Sequence, residues 1–192
     1  MKTFSLVAML LSLLLVSSCQ NPFHPPLRDL SSHEILNSSP EEVLRNLERA
    51  YKEKNINIFK ALLHPDFRFE LLSSEVNQIG VDVDGDHVND SWWGYDKEVE
   101  FTTNMFYHGS TDGLYPVADK IDLRLQIPPQ DNWQADPEVG HESWIIIPCN
   151  FDLILSYNSM NTSYVANGVA RFYLRKDEGR WSIAIWRDES LL

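Results

Sequence analysis

The sequence is poor in the residues that carry the best-recognised chemical motifs. It has two cysteines, Cys19 and Cys149, and eight glycines in 192 residues. No glycine-rich phosphate loop, Cys/His zinc spacing or nucleophile elbow is present. The two cysteines also lie in different contexts, since Cys19 ends a leader and Cys149 lies on the apolar face of a predicted strand. We therefore expect no disulfide between them, and we predict that Cys149 is a buried free thiol.

Basic residues are also scarce. The chain has 16 Lys and Arg against 28 Asp and Glu, a net charge of −12. A surface this acidic repels the phosphates of nucleic acids and the head groups of anionic lipids, so nucleic acid is excluded as a natural partner. The 43% apolar content, with six Trp and nine Phe, is enough to fill the core of one domain.

A long apolar run occurs only at the N-terminus. Residues 1–18 contain Lys2 and then FSLVAMLLSLLLV, which is shorter than the about 20 residues of a membrane-spanning helix. The run ends in VSSC, which resembles the bacterial lipobox. That resemblance implies cleavage before Cys19, a lipid on its sulfur, and therefore the membrane as a partner. The alternative is an ordinary secretory leader with a coincidental cysteine.

The residues after the leader indicate where the protein would be anchored. Gln20 rather than Asp follows the lipidated cysteine, and this resembles the signal for the outer membrane, with the domain facing the periplasm. Residues 19–38 contain three prolines and two adjacent serines, a composition typical of a flexible tether. The folded domain is then predicted to span residues 39–192.

Period-two alternation predicts the strands of a sheet with one buried face. It is longest over 145–157 and 164–174, and shorter over 121–127 and 181–186, where Trp181, Ile183 and Ile185 share one parity. The turn at 176–179 predicts that the last two strands pair antiparallel. Pro148 interrupts the longest strand, so we expect a bulge or a sheet edge there.

Helical signals precede the strands. Ser39 is a good N-cap, Pro40 fits the first helical position and Glu42 completes a capping box. Further helices are predicted over 58–63, ending at His64-Pro65, and over 95–107. A strand begins at Phe67.

This order of elements resembles a known superfamily. SPEEVLRNLERAYKEKNINIFKALLHPDFRFEL is similar to the start of the nuclear-transport-factor-2-like (NTF2-like) proteins, which include SnoaL-like and ketosteroid-isomerase-like proteins. The resemblance implies an α+β, cystatin-like fold over 39–192: a cone-shaped, strongly bent antiparallel sheet wrapped over about three N-terminal helices. It also implies that the His64–Asp66 corner is structural.

The resemblance suggests a pocket in the mouth of the cone. In the isomerase branch, an aspartate base and acidic hydrogen-bond donors act on an apolar substrate. His108 and Asp112 are the candidates for a base here. The candidate aromatic lining consists of Trp92, Trp93, Phe101, Phe106, Tyr107 and Tyr115. Aromatic residues at such spacings also form cores, and a histidine at a helix end also caps carbonyl groups.

The segment DVDGDHVND resembles the acidic loops that bind calcium. The side chains of Asp82, Asp84, Asp86 and Asp90 and the carbonyl of Val88 would be its ligands. A complete EF-hand is excluded, because His87 replaces the usual glycine and Trp93 replaces the bidentate glutamate. Asp96 or Glu98 would have to supply that ligand instead. The alternative is a solvated acidic loop, and no other cofactor is predicted.

Three functions fit these observations. We favour a non-catalytic, lipid-anchored module that binds a small ligand or acts as a scaffold in the bacterial cell envelope, paired with a second copy or another envelope protein. The first alternative is a SnoaL-like isomerase, hydratase or cyclase acting on a small apolar substrate. The second is a calcium-stabilised surface module.

Overall fold

The computed structural model describes residues 37–110 and 113–190. The predicted leader, Cys19, most of the tether and Asp112 therefore lie outside the described residues. Within the two described ranges, none of the helices has the length and apolarity needed to cross a membrane.

The described chain has helices in its first half and strands mostly in its second. The helices are α1 (Pro40–Glu53), α2 (Ile56–Leu62), α3 (Val76–Ile79) and α4 (Tyr95–Thr103), and α4 continues into a π-helical turn, Asn104–His108. The strands are β1 (Leu63–Glu70), β2 (Trp92–Gly94), β3 (Lys120–Gln126), β4 (Gln134–Ala135), β5 (Ile145–Tyr157), β6 (Thr162–Asp177) and β7 (Arg180–Asp188).

Helix α1 begins where its capping residues predict. The Ser39 side chain accepts a hydrogen bond from the Glu42 amide at 3.1 Å, and Pro40 occupies the first turn. The Glu42 carboxylate accepts from both the amide and the hydroxyl of Ser38 rather than from Ser39. These bonds from Ser38 lower the pKa of Glu42. The predicted capping box is thus present, but it is closed one residue earlier.

Helix α2 and β1 meet without a loop. Asn55 caps α2, so the helix starts at Ile56, and β1 begins directly after Leu62. His64 therefore lies inside β1 rather than at a helix end. Its Nδ1 accepts from the Asp66 amide at 3.0 Å, and its Nε2 lies 3.2 Å from a carboxylate oxygen of Asp177 at the end of β6. This buried histidine joins two strands, which agrees with a structural role.

The strands form one curled sheet in the order β2-β1-β7-β6-β5-β3, with β4 also paired to β5. The β1–β7 pair is parallel and the other pairs are antiparallel, so the sheet is mixed rather than wholly antiparallel as predicted. The helices cover one face. The apolar core includes Leu44, Leu47, Phe59, Ile121, Ile147, Cys149, Phe172 and Ile183. The predicted α+β, cystatin-like fold is confirmed.

Two features of the long strands depend on local backbone chemistry. Strand β5 pairs with β6 along its whole length without a register shift. On its other side β5 bonds β4 at 145–146 and β3 at 150–156. Pro148 lies in the gap between these partners, where a residue without an N–H group costs no ladder bond. The edge predicted for Pro148 is therefore present, and the bulge is not.

A bulge occurs instead in β7. Leu174 pairs with Ile183, whereas the preceding Tyr173 pairs with Ile185, so Ala184 is an extra residue in the strand. An extra residue reverses the parity of everything after it. Ile183 faces the core, but Ile185 and Arg187 line the opposite face. The prediction that Ile185 shares a face with Ile183 was wrong for this reason.

Gly168 in β6 provides a test of this packing. A Cβ atom there would lie 1.7 Å from the Oγ of Ser190, whose hydroxyl donates to Asp188. We expect Gly168→Ala to lower the free energy of unfolding by about 1–3 kcal/mol, because the strand end must shift. Urea unfolding should show that Ser190→Gly restores most of this loss in the double variant. Additive effects of the two substitutions would contradict the proposed clash.

Candidate functional site

The interior between the helices and the sheet is filled by aromatic rings. Tyr51 of α1, Phe59 of α2 and Phe106 of the π-helical turn contact one another edge to face, with ring centroids 5.4–6.5 Å apart. All three residues are buried. The centre of this fold is therefore filled with side chains and is not a hollow, polar-tipped pocket.

One carboxyl group is enclosed beside these rings. Glu98 of α4 is buried, and its Oε2 accepts a hydrogen bond from the indole Nε1 of Trp93 at 2.7 Å. Its Oε1 lies 3.3 Å from the Thr102 hydroxyl. Burial raises the pKa of Glu98 above its usual value, although both hydrogen bonds act to lower it. Burial, and then the charge of Glu98, also raises the pKa of Tyr51.

An apolar cavity of about 550 Å³ lies beside this core, between the end of α4 and the paired ends of β5 and β6. We call it the apolar cavity. Its lining residues are Phe101, Asn104, Met105, Gly109, Ser110, Tyr115, Pro116, Leu155, Tyr157 and Tyr164. Among the described residues, neither a carboxylate nor an imidazole lines it. The polar groups of its side chains are hydroxyls and one amide.

Three tyrosines supply most of those polar groups. The Tyr164 ring packs edge to face against Tyr115 at 5.1 Å and against Tyr157 at 5.7 Å. Burial raises the pKa of Tyr157 and of Tyr164 above the usual tyrosine value, and the neighbouring Tyr115 adds to both shifts. Both hydroxyls are protonated at neutral pH, as an ordinary tyrosine also is, and can donate hydrogen bonds.

The wall that follows α4 depends on a tight return of the chain. Gly109 has a φ of 82°, and a Cβ atom there would lie 2.4 Å from the carbonyl oxygen of Tyr115. The Ser110 amide donates to that same carbonyl, and the Tyr115 amide donates to the Ser110 hydroxyl. Only glycine fits this approach, and it brings Tyr115 beside Tyr164 at the start of β6.

The structure separates the residues predicted to form the aromatic lining. Phe101 and Tyr115 line the apolar cavity, whereas Trp93 and Phe106 are buried in the core. Trp92 and Tyr107 are exposed and lie elsewhere. Trp92 and Trp93 occupy successive positions of a strand, so their side chains point to opposite faces. The sequence prediction placed both in one aromatic lining because they are neighbours in the chain.

The predicted base His108 does not line the apolar cavity. His108 is exposed at the end of the π-helical turn, packs against Tyr107, and is not among the residues that line the cavity. Asp112 lies outside the described residues. The side chains that form the wall and were not predicted are Met105, Leu155, Tyr157 and Tyr164. Leu155 and Tyr164 could have been found together from the sequence, because the register of the two long predicted strands places them opposite each other.

The acidic loop has some features of a cation site. Oxygens of Asp82, Asp84 and Asp90 lie within 4.8 Å of one another, but Asp86 is not in this group. His87 has a φ of 69°, so it adopts the left-handed backbone expected of the glycine that it replaces. Backbone amides already bond the carboxylates of all four aspartates.

Of the two further ligands considered for this loop, Asp96 and Glu98, the second is already bonded elsewhere. The Glu98 carboxylate bonds Trp93 and Thr102 in the core, so it is not available as a ligand for a cation in the loop. Calcium binding by Asp82, Asp84, Asp86, Val88 and Asp90 stays a prediction.

Comparison with known proteins identifies the fold. No family model and no curated protein matches the sequence. Solved structures do match, including an NTF2-like superfamily protein from Salmonella enterica, with 11% identity, a TM-score of 0.53, and coverage of 79% of this chain and 87% of that one. A candidate aromatic ring hydroxylase from Novosphingobium aromaticivorans matches with 16% identity and a TM-score of 0.52, over 79% and 86% of the two chains.

A third match is a candidate scytalone dehydratase from the same organism. It has 11% identity and a TM-score of 0.52, over 79% of this chain and 81% of the other. At these identities the likenesses establish the fold alone. The fold is that of the NTF2-like proteins, as the sequence resemblance implied.

Glu98 generates a prediction about pH. Between the ordinary pKa near 4.5 and the raised folded value, the folded protein holds a proton that the unfolded chain has lost. Stability is then favoured at low pH and falls as the pH rises through this window. We expect Glu98→Gln to gain stability relative to wild type as the pH rises, measured by urea unfolding.

The matched control is Glu100→Gln, which removes an exposed carboxylate from the same helix. Parallel stability profiles of wild type and Glu98→Gln across this pH range would contradict the assignment.

Proposed function

We propose that this protein is a non-catalytic module that binds a small apolar ligand in the apolar cavity and is held at a bacterial membrane through lipidated Cys19. The observation that supports binding is the cavity itself. Its volume of about 550 Å³ lies within the range of small-molecule sites, about 300–1,000 Å³.

The chemistry of the wall suits an apolar ligand with few polar groups. Phe101, Met105 and Leu155 provide contact surface, and burial of apolar area is the main driving force for such binding. The protonated hydroxyls of Tyr157 and Tyr164 would donate hydrogen bonds to an oxygen atom of the ligand. Aromatic edges and faces in one wall also favour a planar ligand.

The same wall argues against proton transfer. General acid–base catalysis needs a titratable group within hydrogen-bond reach of the substrate. The carboxyl group of Glu98 is close in sequence to the wall, but it is bonded to Trp93 and Thr102 inside the core.

Isomerase, hydratase or cyclase activity is the alternative. Two structural neighbours, named as a candidate aromatic ring hydroxylase and a candidate scytalone dehydratase, favour this alternative. However, isomerase, hydratase or cyclase activity requires a base, and the described lining residues do not contain one.

Binding can be tested with the fluorescent probe N-phenyl-1-naphthylamine. We expect wild-type protein to enhance its fluorescence saturably and Leu155→Gln to weaken binding by about tenfold, because an amide is then buried without a fixed partner. Val165→Gln is the matched control, since Val165 lies beside Tyr164 on β6 but is exposed and outside the wall.

The same assay tests whether the predicted base His108 contributes to binding. We expect His108→Ala to bind the probe like wild type, because the imidazole is not among the groups that line the wall. A wild-type protein that does not bind the probe would reject the proposal. So would equal losses in Leu155→Gln and Val165→Gln.

The membrane address rests on the leader that ends in Val16-Ser17-Ser18-Cys19. In a bacterial host that processes lipoproteins, we expect full-length protein in the membrane fraction, with lipid mass on an N-terminal Cys19. Cys19→Ala should abolish the lipid mass, whereas the matched Cys149→Ala should retain it. Detection of an intact leader on unmodified Cys19 in wild type would overturn this part of the proposal.

A further inference from the structure

A second and larger cavity lies on the sheet face opposite the helices. Its volume is about 780 Å³, and it shares no lining residue with the apolar cavity. Its floor is formed by outward-facing residues of β1, β6 and β7, and the segment from Gln134 to Trp144 forms one wall. We call it the outer-face cavity.

Arginines are concentrated in this cavity. Arg68, Arg171, Arg175 and Arg187 all line it, so four of the sixteen basic residues of an acidic chain meet at one place. Two sequence features bring them there. Alternation along β6 puts Arg171 and Arg175 on the outer face, and the bulge at Ala184 turns Arg187 to the same side.

Each of the three guanidinium nitrogens of Arg187 donates a hydrogen bond within the protein. Its Nε and Nη2 donate to the Glu70 carboxylate at 2.8 and 2.6 Å, and its Nη1 donates to the Tyr173 hydroxyl at 2.9 Å. Burial acts to lower the pKa of Arg187, but the bond to Glu70 and the charge of that carboxylate outweigh it, and the pKa is raised. Arg187 therefore organises the floor, fixing Tyr173 between the other arginines.

The other three arginines keep donors available. Arg171 bonds Glu189 through Nη2 at 3.0 Å, and Arg175 bonds Asp177 through Nε at 3.0 Å. Arg68 stacks over Trp92 at 5.0 Å and has no carboxylate partner among the described residues. A guanidinium has five N–H donors in a fixed plane. Glu189 thus orients Arg171, and Asp177 orients Arg175, whose Nη1 also lies 4.0 Å from Oδ2 of Asp66. These contacts do not use all the donors of either guanidinium.

The wall opposite this floor carries acceptors. Nδ1 of His141 lies 2.8 Å from Asp136 Oδ2 and 3.6 Å from Glu138 Oε2. The His141 ring also stacks on Trp144, with centroids 3.7 Å apart, which fixes its plane. The Asp136 side chain is only 5% exposed. These contacts orient His141 through Nδ1, so Nε2 and the exposed Glu138 carboxylate are the groups left for a ligand.

We propose that the outer-face cavity binds a small hydroxylated carboxylate, such as a sugar acid or a hydroxy acid. The planar donors of Arg68 and Arg175 match the two oxygens of a carboxylate. The acceptors of Glu138 and His141 match hydroxyl groups on the remainder of the ligand. The volume admits a molecule of monosaccharide size. Opposed donors and acceptors select against both a simple anion and a neutral apolar compound.

The test uses D-glucuronate and L-malate, with D-glucose and glycerol as their counterparts without the carboxylate. Isothermal titration at constant ionic strength should show that wild-type protein binds at least one acid in preference to its counterpart. Arg68→Gln and Arg175→Gln should each weaken that binding by at least about tenfold. Arg124→Gln is the matched control, because Arg124 is an exposed arginine on β3 that pairs with Asp122 away from the cavity.

Circular dichroism should show that the three variants fold. For Arg68→Gln this is expected, because no carboxylate loses a partner. Failure of both acids to bind better than their counterparts would overturn the proposal, as would unchanged affinity in both cavity variants. Sedimentation provides an independent check. A wild-type dimer that Arg68→Gln dissociates would assign this face to a second copy and would also overturn the proposal.

Discussion

The packing of the helices against one face of the curled sheet is the contact on which the rest of the structure depends. Leu47 and Phe59 meet Ile147 and Phe172 in one apolar core. Each such side chain contributes about 1.5–3 kcal/mol on burial. Because neighbouring residues of a strand point to opposite faces, fixing this core also fixes which side chains occupy the outer face. Both cavities follow from that division.

The filled interior separates this domain from a hollow cone. Tyr51, Phe59 and Phe106 occupy the centre, and Glu98 is sealed beside them by Trp93 and Thr102. A group that is sealed in this way perturbs stability but does not meet a ligand. Binding surfaces are therefore displaced to the end of α4 and to the outer face of the sheet. The two surfaces differ in chemistry, since one is apolar and the other is lined by opposed charges.

Much of the fold could be predicted from local patterns. The start of α1 and the strand 145–157 match their predictions, because capping chemistry and period-two alternation act over a few residues. The bulge at Ala184 was not predictable, because the strand RWSIAIW alternates evenly until its partner is known. The parallel β1–β7 pair likewise depends on residues more than a hundred positions apart.

The candidate sites were predictable to a smaller extent. Tyr115 was recognised, but Leu155 and Tyr164 join it only because Gly109 turns the chain back towards the ends of β5 and β6. His141 had no predicted role. Its pairing with Asp136 is local to one loop, but the placement of that pair near four arginines requires the whole sheet. The sequence by itself determined the elements and their buried faces, since those depend on near neighbours. Only the tertiary structure decided which side chains share a cavity, because that depends on strand order and on one extra residue.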